Sequence, residues 1–331
     1  MVDAHTQSPP PAHGKFPMRG KLLKVTAIDA PLGAIVEGWD PAADMTAALK
    51  AEISRALAAH QVLIFRGHKL PGDDELVRFA QNFGDLVKGS EWFGDVDPIP
   101  EILRVNNLEG DDGVPEGTGA SRSLEWHADY SYVPTVGKES FLEAVEIPRN
   151  NPPQTCFCSQ YLALETLPAA VVNALRGKRA YHSITGYSTG EEGPQISENL
   201  ASDEDFRKGF AAKRERNRKL GVSRPDIPQA IHPVILRHPD TGREILYVSK
   251  GITRHILGMA EDESKALLKE LAEHSTKPEN VYAHDWRVGD LVMFDTLGTL
   301  HRRDAWDPSE RRVMRQLSTW WTPPAEDADA A

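Results

Sequence analysis

Two segments near the end of the chain, DLVMF at residues 290–294 and VMRQLSTW at residues 313–320, decide the fold class. Both are short and rich in apolar, β-branched or aromatic residues, which is typical of buried strands. The same pattern recurs at residues 140–146, 155–159, 234–237 and 245–248. Many short strands, without a regular alternation of strand and helix, predict a mainly β protein built as a barrel or sandwich.

Helices are predicted beside these strands. Residues 43–60 carry apolar residues four apart on one face, and a second helix opens at Asp73 with three acidic residues that favour a helix N-terminus. Further helices are predicted at residues 163–176 and 261–274. The HPDTG stretch at 238–242 supplies the Pro, Asp and Gly of a hairpin turn.

The ends of the chain differ in composition from its middle. Residues 1–17 are rich in proline and polar residues, and residues 323–331 are acidic and rich in alanine. They predict a flexible leader and a flexible tail around a single domain at 18–322. Inside that domain, residues 183–230 are polar and then basic, which indicates either a solvated helix face or a lid over a site.

Composition excludes several classes of protein. The chain has 331 residues, a net charge of −11, 40% hydrophobic and 26% charged residues, which is typical of a globular protein. No apolar stretch predicts a membrane span or a secretory signal, and the acidic balance argues against a nucleic-acid binder. Two cysteines are too few for a disulfide scaffold or a cysteine-rich zinc module. We therefore expect a cytoplasmic enzyme with a small-molecule substrate.

The pentapeptide Trp126-His127-Ala128-Asp129-Tyr130 carries the first chemical signal. In a strand, residues i and i+2 project to the same face, so an imidazole and a carboxylate would lie side by side. With one more histidine they would form the 2-His-1-carboxylate set of non-haem Fe(II) oxygenases. The second such triplet, His238-Pro239-Asp240, falls on the predicted turn and is interpreted as turn chemistry.

His301 is the candidate third ligand because it follows the strand at 291–294. Eleven residues later comes Arg312, at the head of another predicted strand. A guanidinium there would suit a carboxylate partner. Taken alone, His301 is equally compatible with a structural polar residue at a strand end.

Together, His127-x-Asp129, Thr155, His301 and Arg312 resemble the taurine dioxygenase-like (TauD/TfdA) family of Fe(II)/2-oxoglutarate-dependent dioxygenases. Supporting motifs are the stretches HQVLIFRG at 60–67, FAQNFGDL at 79–86, RHPDTGR at 237–243 and RRVMR at 311–315. The resemblance covers about residues 23–321.

The resemblance implies a double-stranded β-helix, or jelly roll, with flanking helices. It implies Fe(II) bound by His127, Asp129 and His301, and 2-oxoglutarate held by Thr155 and Arg312. With O2, such an enzyme oxidises, normally by hydroxylation, an aliphatic C–H bond of a small organic substrate and releases succinate and CO2. Members of the family often form dimers or tetramers, and the oligomeric state of this chain is left open.

Departures from the family pattern concern the substrate. Taurine and herbicide dioxygenases carry an arginine four residues after the 2-oxoglutarate arginine, where this chain has Gln316. Taurine is therefore not the expected substrate. Trp92, Tyr132 and Lys88 are further candidates for the substrate pocket, and the aromatic pair would suit an apolar or aromatic compound.

Two other functions compete with the oxygenase. A zinc-dependent hydrolase could use the same three ligands, but it would give no role to Arg312 and Thr155. A non-catalytic jelly-roll binding protein would have no use for three metal ligands. Dependence on 2-oxoglutarate distinguishes the oxygenase from both.

Overall fold

A seven-stranded, mostly antiparallel sheet is the largest element of the computed structural model, which describes residues 23–93, 95, 97–118, 121–184, 204–221 and 229–321. Its strands are β1 (Lys24–Ala27), β2 (Ala34–Glu37), β3 (Val62–Phe65), β4 (Leu103–Asn106), β6 (Val136–Glu146), β14 (Leu291–Asp295) and β16 (Val313–Trp321). They follow the order β1-β2-β3-β14-β6-β16-β4, and only the β2–β3 pairing among these strands is parallel.

A four-stranded antiparallel sheet packs against the large one. It consists of β5 (Leu124–His127), β7 (Thr155–Ser159), β13 (Val281–His284) and β15 (Thr299–Arg303), in the order β13-β7-β15-β5. Phe157 of the small sheet and Phe294 of the large sheet meet between them, with ring centroids 5.2 Å apart. Apolar side chains therefore fill the space between the two sheets at Phe157 and Phe294.

Helices and two smaller sheets complete the described structure. The helices are α1 (Ala47–His60), α2 (Asp73–Gln81), α3 (Gly89–Phe93), α4 (Gln160–Thr166), α5 (Ala169–Leu175), α6 (Glu204–Leu220), α7 (Glu261–Ser275) and the 3-10 turn Pro278–Asn280. The smaller sheets are formed by β8 (Arg179–His182), β9 (Ala230–Pro233) and β12 (Thr253–Ile256), and by the hairpin β10 (Ile235–Arg237) and β11 (Glu244–Leu246).

The first two helices cover the outer face of the large sheet. Leu57 of α1 and Phe79 of α2 are buried in one apolar cluster with Phe65 and Phe141 of the sheet. Thr46 caps α1 by accepting a hydrogen bond from the backbone of Leu49 at 3.1 Å. With one face covered by helices, the other face of the sheet is left to line the interior.

The predicted fold class is confirmed, and the predicted strands lie within a few residues of the observed ones. The helix predicted at residues 163–176 is wrong as a single element. It consists of α4 and α5, because Pro168 cannot continue the hydrogen bonding of the first helix. The predicted leader and tail fall outside the described residues, as do 185–203 and 222–228 of the candidate lid.

A buried ion pair joins α2 to the centre of the large sheet. Arg315 donates to Glu143 on the neighbouring strand at 2.6 Å, and also to Asp73 of α2 at 2.6 Å. Glu143 is fully buried. Replacing Arg315 with methionine leaves this carboxylate without its cation, so we expect a loss of about 3 to 5 kcal/mol in the free energy of unfolding.

Urea denaturation of purified protein measures this loss. Arg311→Met is the matched control, because Arg311 pairs with Glu146 across exposed positions, where a pair contributes less than about 1 kcal/mol. Equal and small losses in both variants would contradict the assignment.

Candidate active site

Strand pairing brings the two candidate histidine ligands together. His127 ends β5 and lies directly opposite His301 on β15, with ring centroids 4.2 Å apart. Asp129 Oδ1 lies 3.4 Å from His127 Nε2, and Asp129 Oδ2 lies 3.8 Å from His301 Nε2. One ligand atom from each residue falls within 4.8 Å of the others. This is the one such group of His, Cys, Asp and Glu side chains found in the described part of the chain.

The local geometry of Asp129 differs from the sequence-based expectation. β5 ends at His127, and Asp129 belongs to a turn in which Tyr130 has a φ of 56°. A left-handed φ at a bulky residue is uncommon and strained. The turn, and not strand alternation, therefore presents the carboxylate beside His127.

Hydrogen bonds and charge prepare the three side chains to bind a cation. His127 Nδ1 lies 2.7 Å from the carbonyl oxygen of Glu125, which can only accept, so Nδ1 carries the hydrogen and Nε2 is left for a metal. Burial opposes ionisation of Asp129, but His301, His127 and Gln316 together lower its pKa to about 2. Burial, followed by the neighbouring His127, lowers the pKa of His301 to about 3. At neutral pH the site thus offers an ionised carboxylate and an unprotonated His301.

Gln316 contacts this group directly. It lies on β16, and its Nε2 donates a hydrogen bond to Asp129 Oδ2 at 2.7 Å. Such hydrogen bonds orient ligating carboxylates and tune metal affinity. The sequence predicts Gln316 only as a substrate residue, because its contact with Asp129 depends on the folded structure.

Replacing Gln316 with leucine is expected to weaken Mn(II) binding by about tenfold, because the carboxylate loses the donor that orients it. Isothermal titration with Mn(II) measures the affinity. Gln81, exposed on α2, provides a matched Gln→Leu control that should bind as the wild type does. A Gln316→Leu variant with unchanged affinity would show that the hydrogen bond is not needed to position Asp129.

Arg312 lies one residue before β16, Thr155 is the first residue of β7, and both are buried. Arg312 is 2% exposed, and its Nη1 has no hydrogen-bond partner. Its backbone N–H donates to Asn107 Oδ1 at 2.9 Å, which fixes the start of β16. Thr155 Oγ1 accepts a hydrogen bond from Trp286 Nε1 at 2.9 Å, which leaves the threonine hydrogen to donate. A buried guanidinium with an unpartnered donor is the arrangement expected where an anion binds.

Arg303 lies near Arg312, and Arg122 lies near Arg303. Arg303 on β15 is 4% exposed, and its Nη2 donates to the carbonyl oxygen of Arg122 at 2.5 Å. Arg303 and Arg312 both lie over the ring of Trp306, at 4.5 Å and 5.4 Å from its centroid. We call Arg122, Arg303 and Arg312 the arginine cluster. The sequence analysis missed Arg303, although its position two residues after His301 on a strand is a usable signal.

The structure describes the side chains of two of the three remaining pocket candidates, Tyr132 and Lys88. Tyr132 is buried in an apolar cluster with Val87, Tyr130, Val133 and Ile252. Lys88 is exposed and lies 3.8 Å from Glu91. The side chain of Trp92 is outside the described part of the structure. The roles of all three in substrate binding stay predictions.

Within the candidate lid, α6 is docked and not fully solvated. Lys213 is 6% exposed and donates to the buried Asp95 and to the carbonyl oxygen of Gly117 at 2.5 Å. Lys213 is therefore buried, and the prediction of a solvated helix face is wrong for this residue. Whether the segment moves stays a prediction.

The second His-x-Asp triplet has a structural role. His238 is buried and lies 3.3 Å from Asp295, to which Tyr161 also donates at 2.7 Å. These contacts tie the turn between β10 and β11 to the end of β14. Cys156 and Cys158 are buried free thiols.

The chain matches the family described as "Taurine catabolism dioxygenase TauD, TfdA family" over residues 24–318. It is 39% identical over 305 residues to pentalenolactone F synthase of Streptomyces arenae, covering 92% of this chain and 97% of that protein. It is 32% identical over 279 residues to the alpha-ketoglutarate-dependent 2,4-dichlorophenoxyacetate dioxygenase of Cupriavidus pinatubonensis, covering 81% and 87%.

Solved structures show the same fold. A taurine dioxygenase from Burkholderia xenovorans superimposes with a TM-score of 0.69 at 24% identity, covering 91% of this chain and 90% of that one. The AAD-2 structure in complex with Mn(II) and N-oxalylglycine gives a TM-score of 0.68 at 24% identity, covering 92% and 99%.

Fold, ligand group and relatives define an Fe(II)/2-oxoglutarate-dependent dioxygenase, an oxidoreductase that uses Fe(II), 2-oxoglutarate and O2. The chain belongs to the TauD/TfdA family, so the resemblance seen in the sequence is confirmed. Among the residues that the structure describes, none of the helices combines the length and apolar character that a membrane span needs.

Proposed function

We propose that His127, Asp129 and His301 bind the Fe(II) of this dioxygenase and that Arg312 and Thr155 bind the distal carboxylate of 2-oxoglutarate. The observation that carries the proposal is the convergence of two imidazoles and one carboxylate within 4.8 Å. Three ligands of this type leave further coordination positions open, as the reaction class requires.

The residues present fit both groups. Asp129 is held ionised by its neighbours, and His127 directs Nε2 toward the shared space. Arg312 is buried with Nη1 unpartnered, and among the described residues no carboxylate lies within ion-pair distance of it. An anion supplied by the co-substrate would satisfy this cation and offset the cost of burying it.

Bound Fe(II) and 2-oxoglutarate together supply the means to activate O2, with 2-oxoglutarate leaving as succinate and CO2. The protein contributes position and exclusion of water. Gln316 orients Asp129, and Trp286 donates to Thr155 Oγ1, so the threonine hydrogen is left to donate to the distal carboxylate that Arg312 would bind. Phe157 and Phe294 pack against the ring of His301, with centroids 6.0 Å and 5.1 Å away, and keep this ligand in a dry environment.

For the primary substrate, we propose a small organic compound that does not bind to the side chain of residue 316 through an anionic group. Gln316 is neutral and already donates to Asp129, so it does not supply the cation that a sulfonate or carboxylate head group would need. Two pentalenolactone F synthases, at 39% and 36% identity, support the compound that they convert into pentalenolactone F as the first candidate.

We also propose that residues 18–322 form one catalytic domain, within which 183–230 are the candidate lid, and that the enzyme is cytoplasmic.

The test is an assay of succinate release with Fe(II), O2 and 2-oxoglutarate. With the pentalenolactone F precursor as substrate, we expect both succinate and an oxidised product to form. When 2-oxoglutarate is omitted, we expect no product. Taurine and 2,4-dichlorophenoxyacetate should give little succinate above the substrate-free background. Product formation without 2-oxoglutarate would refute the assigned co-substrate site, and a preference for taurine would refute the proposed substrate class.

A further inference from the structure

Arg303 lies beside the residues proposed to hold the co-substrate. It is two residues after His301 on β15, so both side chains project from the same face of the strand. The pairing of β15 with β7 places Arg303 directly opposite Thr155. Side chains of directly opposite residues in antiparallel strands are neighbours. Arg303 is therefore near the hydroxyl group of Thr155, which is proposed to bind the distal carboxylate.

Two members of the arginine cluster, Arg303 and Arg312, place positive charge in a buried space. Arg303 and Arg312 are 4% and 2% exposed, and their guanidinium groups lie over the same Trp306 ring. Guanidinium groups keep their proton in proteins, so two buried guanidinium groups near one another repel each other. A bound anion would relieve this repulsion.

We propose that Arg303 is a second binding residue for the distal carboxylate of 2-oxoglutarate, acting beside Arg312 and Thr155. The inference rests on the proposed function, because it requires the co-substrate to occupy this end of the site. It goes beyond that function by making the arginine cluster the reason for selectivity. The cluster should favour 2-oxo acids with a second carboxylate over 2-oxo acids that end in a methyl group.

The experiment compares two ligands of equal carbon number on the Mn(II)-loaded protein by isothermal titration. 2-Oxoglutarate carries the distal carboxylate, and 2-oxovalerate has a methyl group in its place. For Arg303→Met we expect the Kd of 2-oxoglutarate to rise by about 10- to 100-fold, since a charge-assisted hydrogen bond is lost. The Kd of 2-oxovalerate should not rise. Arg303→Lys keeps the charge and should lose less affinity than the methionine variant.

Arg302→Met is the matched control. Arg302 is the adjacent residue on β15, projects from the opposite face and pairs with Asp304 at a partly exposed position. It should leave both affinities unchanged. Thermal unfolding of each variant identifies any that do not fold, in which case the lysine variant alone decides the question.

The outcomes distinguish the role of Arg303 from the proposed function. Unchanged 2-oxoglutarate affinity in the Arg303 variants, or an equal loss for both ligands, would overturn the role of Arg303. Wild-type protein that binds Mn(II) but no 2-oxoglutarate would instead overturn the proposed function.

Discussion

Replacing Asp129 with alanine is expected to reduce Mn(II) affinity by more than about 100-fold and to abolish turnover with Fe(II). Loss of residues that merely orient a ligand costs about 10- to 100-fold in metal affinity, so loss of a ligand itself should cost more. Asp129 is also the only acidic member of the group, so the two remaining histidines carry no negative charge to attract a cation. Isothermal titration with Mn(II) and the succinate assay measure the two effects.

The chain supplies its own control for this experiment. Asp240 belongs to the other His-x-Asp triplet, but it lies on a turn and contacts Lys138 at 3.1 Å. Asp240→Ala should bind metal and turn over as the wild type does. Wild-type metal affinity in Asp129→Ala would remove Asp129 from the site and with it the proposed ligand set.

Arg312→Met is expected to raise the Kd of 2-oxoglutarate by about 100-fold, while metal binding is retained. The variant replaces a buried guanidinium by a shorter, unbranched apolar side chain, so the distal carboxylate loses its charge-assisted hydrogen bonds. Such bonds contribute about 1.5 to 3 kcal/mol each, which corresponds to roughly 10- to 100-fold in affinity. Titration of 2-oxoglutarate into the Mn(II)-loaded variant measures the loss.

Arg311→Met controls for removal of a positive charge at this end of β16. Arg311 is adjacent to Arg312 but exposed, and it contacts Glu146. The affinity of the Arg311→Met variant for 2-oxoglutarate should match that of the wild type. If both arginine variants weakened binding equally, the effect would reflect general charge and not a specific contact with Arg312.

The sequence predicted a large part of the structure because its strong signals are local. Residues 62–65 are apolar at every position, and they form a central strand that is buried throughout. The bounds of β7 at 155–159 were also predicted, because residues 155–158 are apolar or β-branched and a helix is predicted after them. Pro168 is a local signal for the split between α4 and α5. The prediction gave more weight to the periodic apolar pattern and therefore placed one helix across it.

Contacts across sheets could not be predicted from local patterns. Gln316 reaches Asp129 from a strand that is distant in sequence, and nothing in its neighbours predicts that partner. Arg303 faces Thr155 only because β15 and β7 pair in one register, and a shift by one residue would turn it to the other face. The turn at Tyr130 was missed because residues 126–130 alternate as a strand would.

Under the proposed function, Gln316 links substrate specificity to the metal site. In the resemblance drawn from sequence, relatives of the taurine type place an arginine at this position to bind an anionic substrate. Here the amide donates to Asp129. A single position would therefore both orient a metal ligand and decide against an anionic head group, which connects the choice of substrate to the coordination of iron.

The most direct test of the account is the visible absorption spectrum of the wild-type protein, loaded with Fe(II) under anaerobic conditions and then mixed with 2-oxoglutarate. Chelation of the 2-oxo acid by Fe(II) at His127, Asp129 and His301 predicts a weak metal-to-ligand charge-transfer band that is absent before the addition. The band should be lost in Asp129→Ala and should require a higher 2-oxoglutarate concentration in Arg312→Met. Tight Fe(II) binding without any band at saturating 2-oxoglutarate would contradict the proposed site.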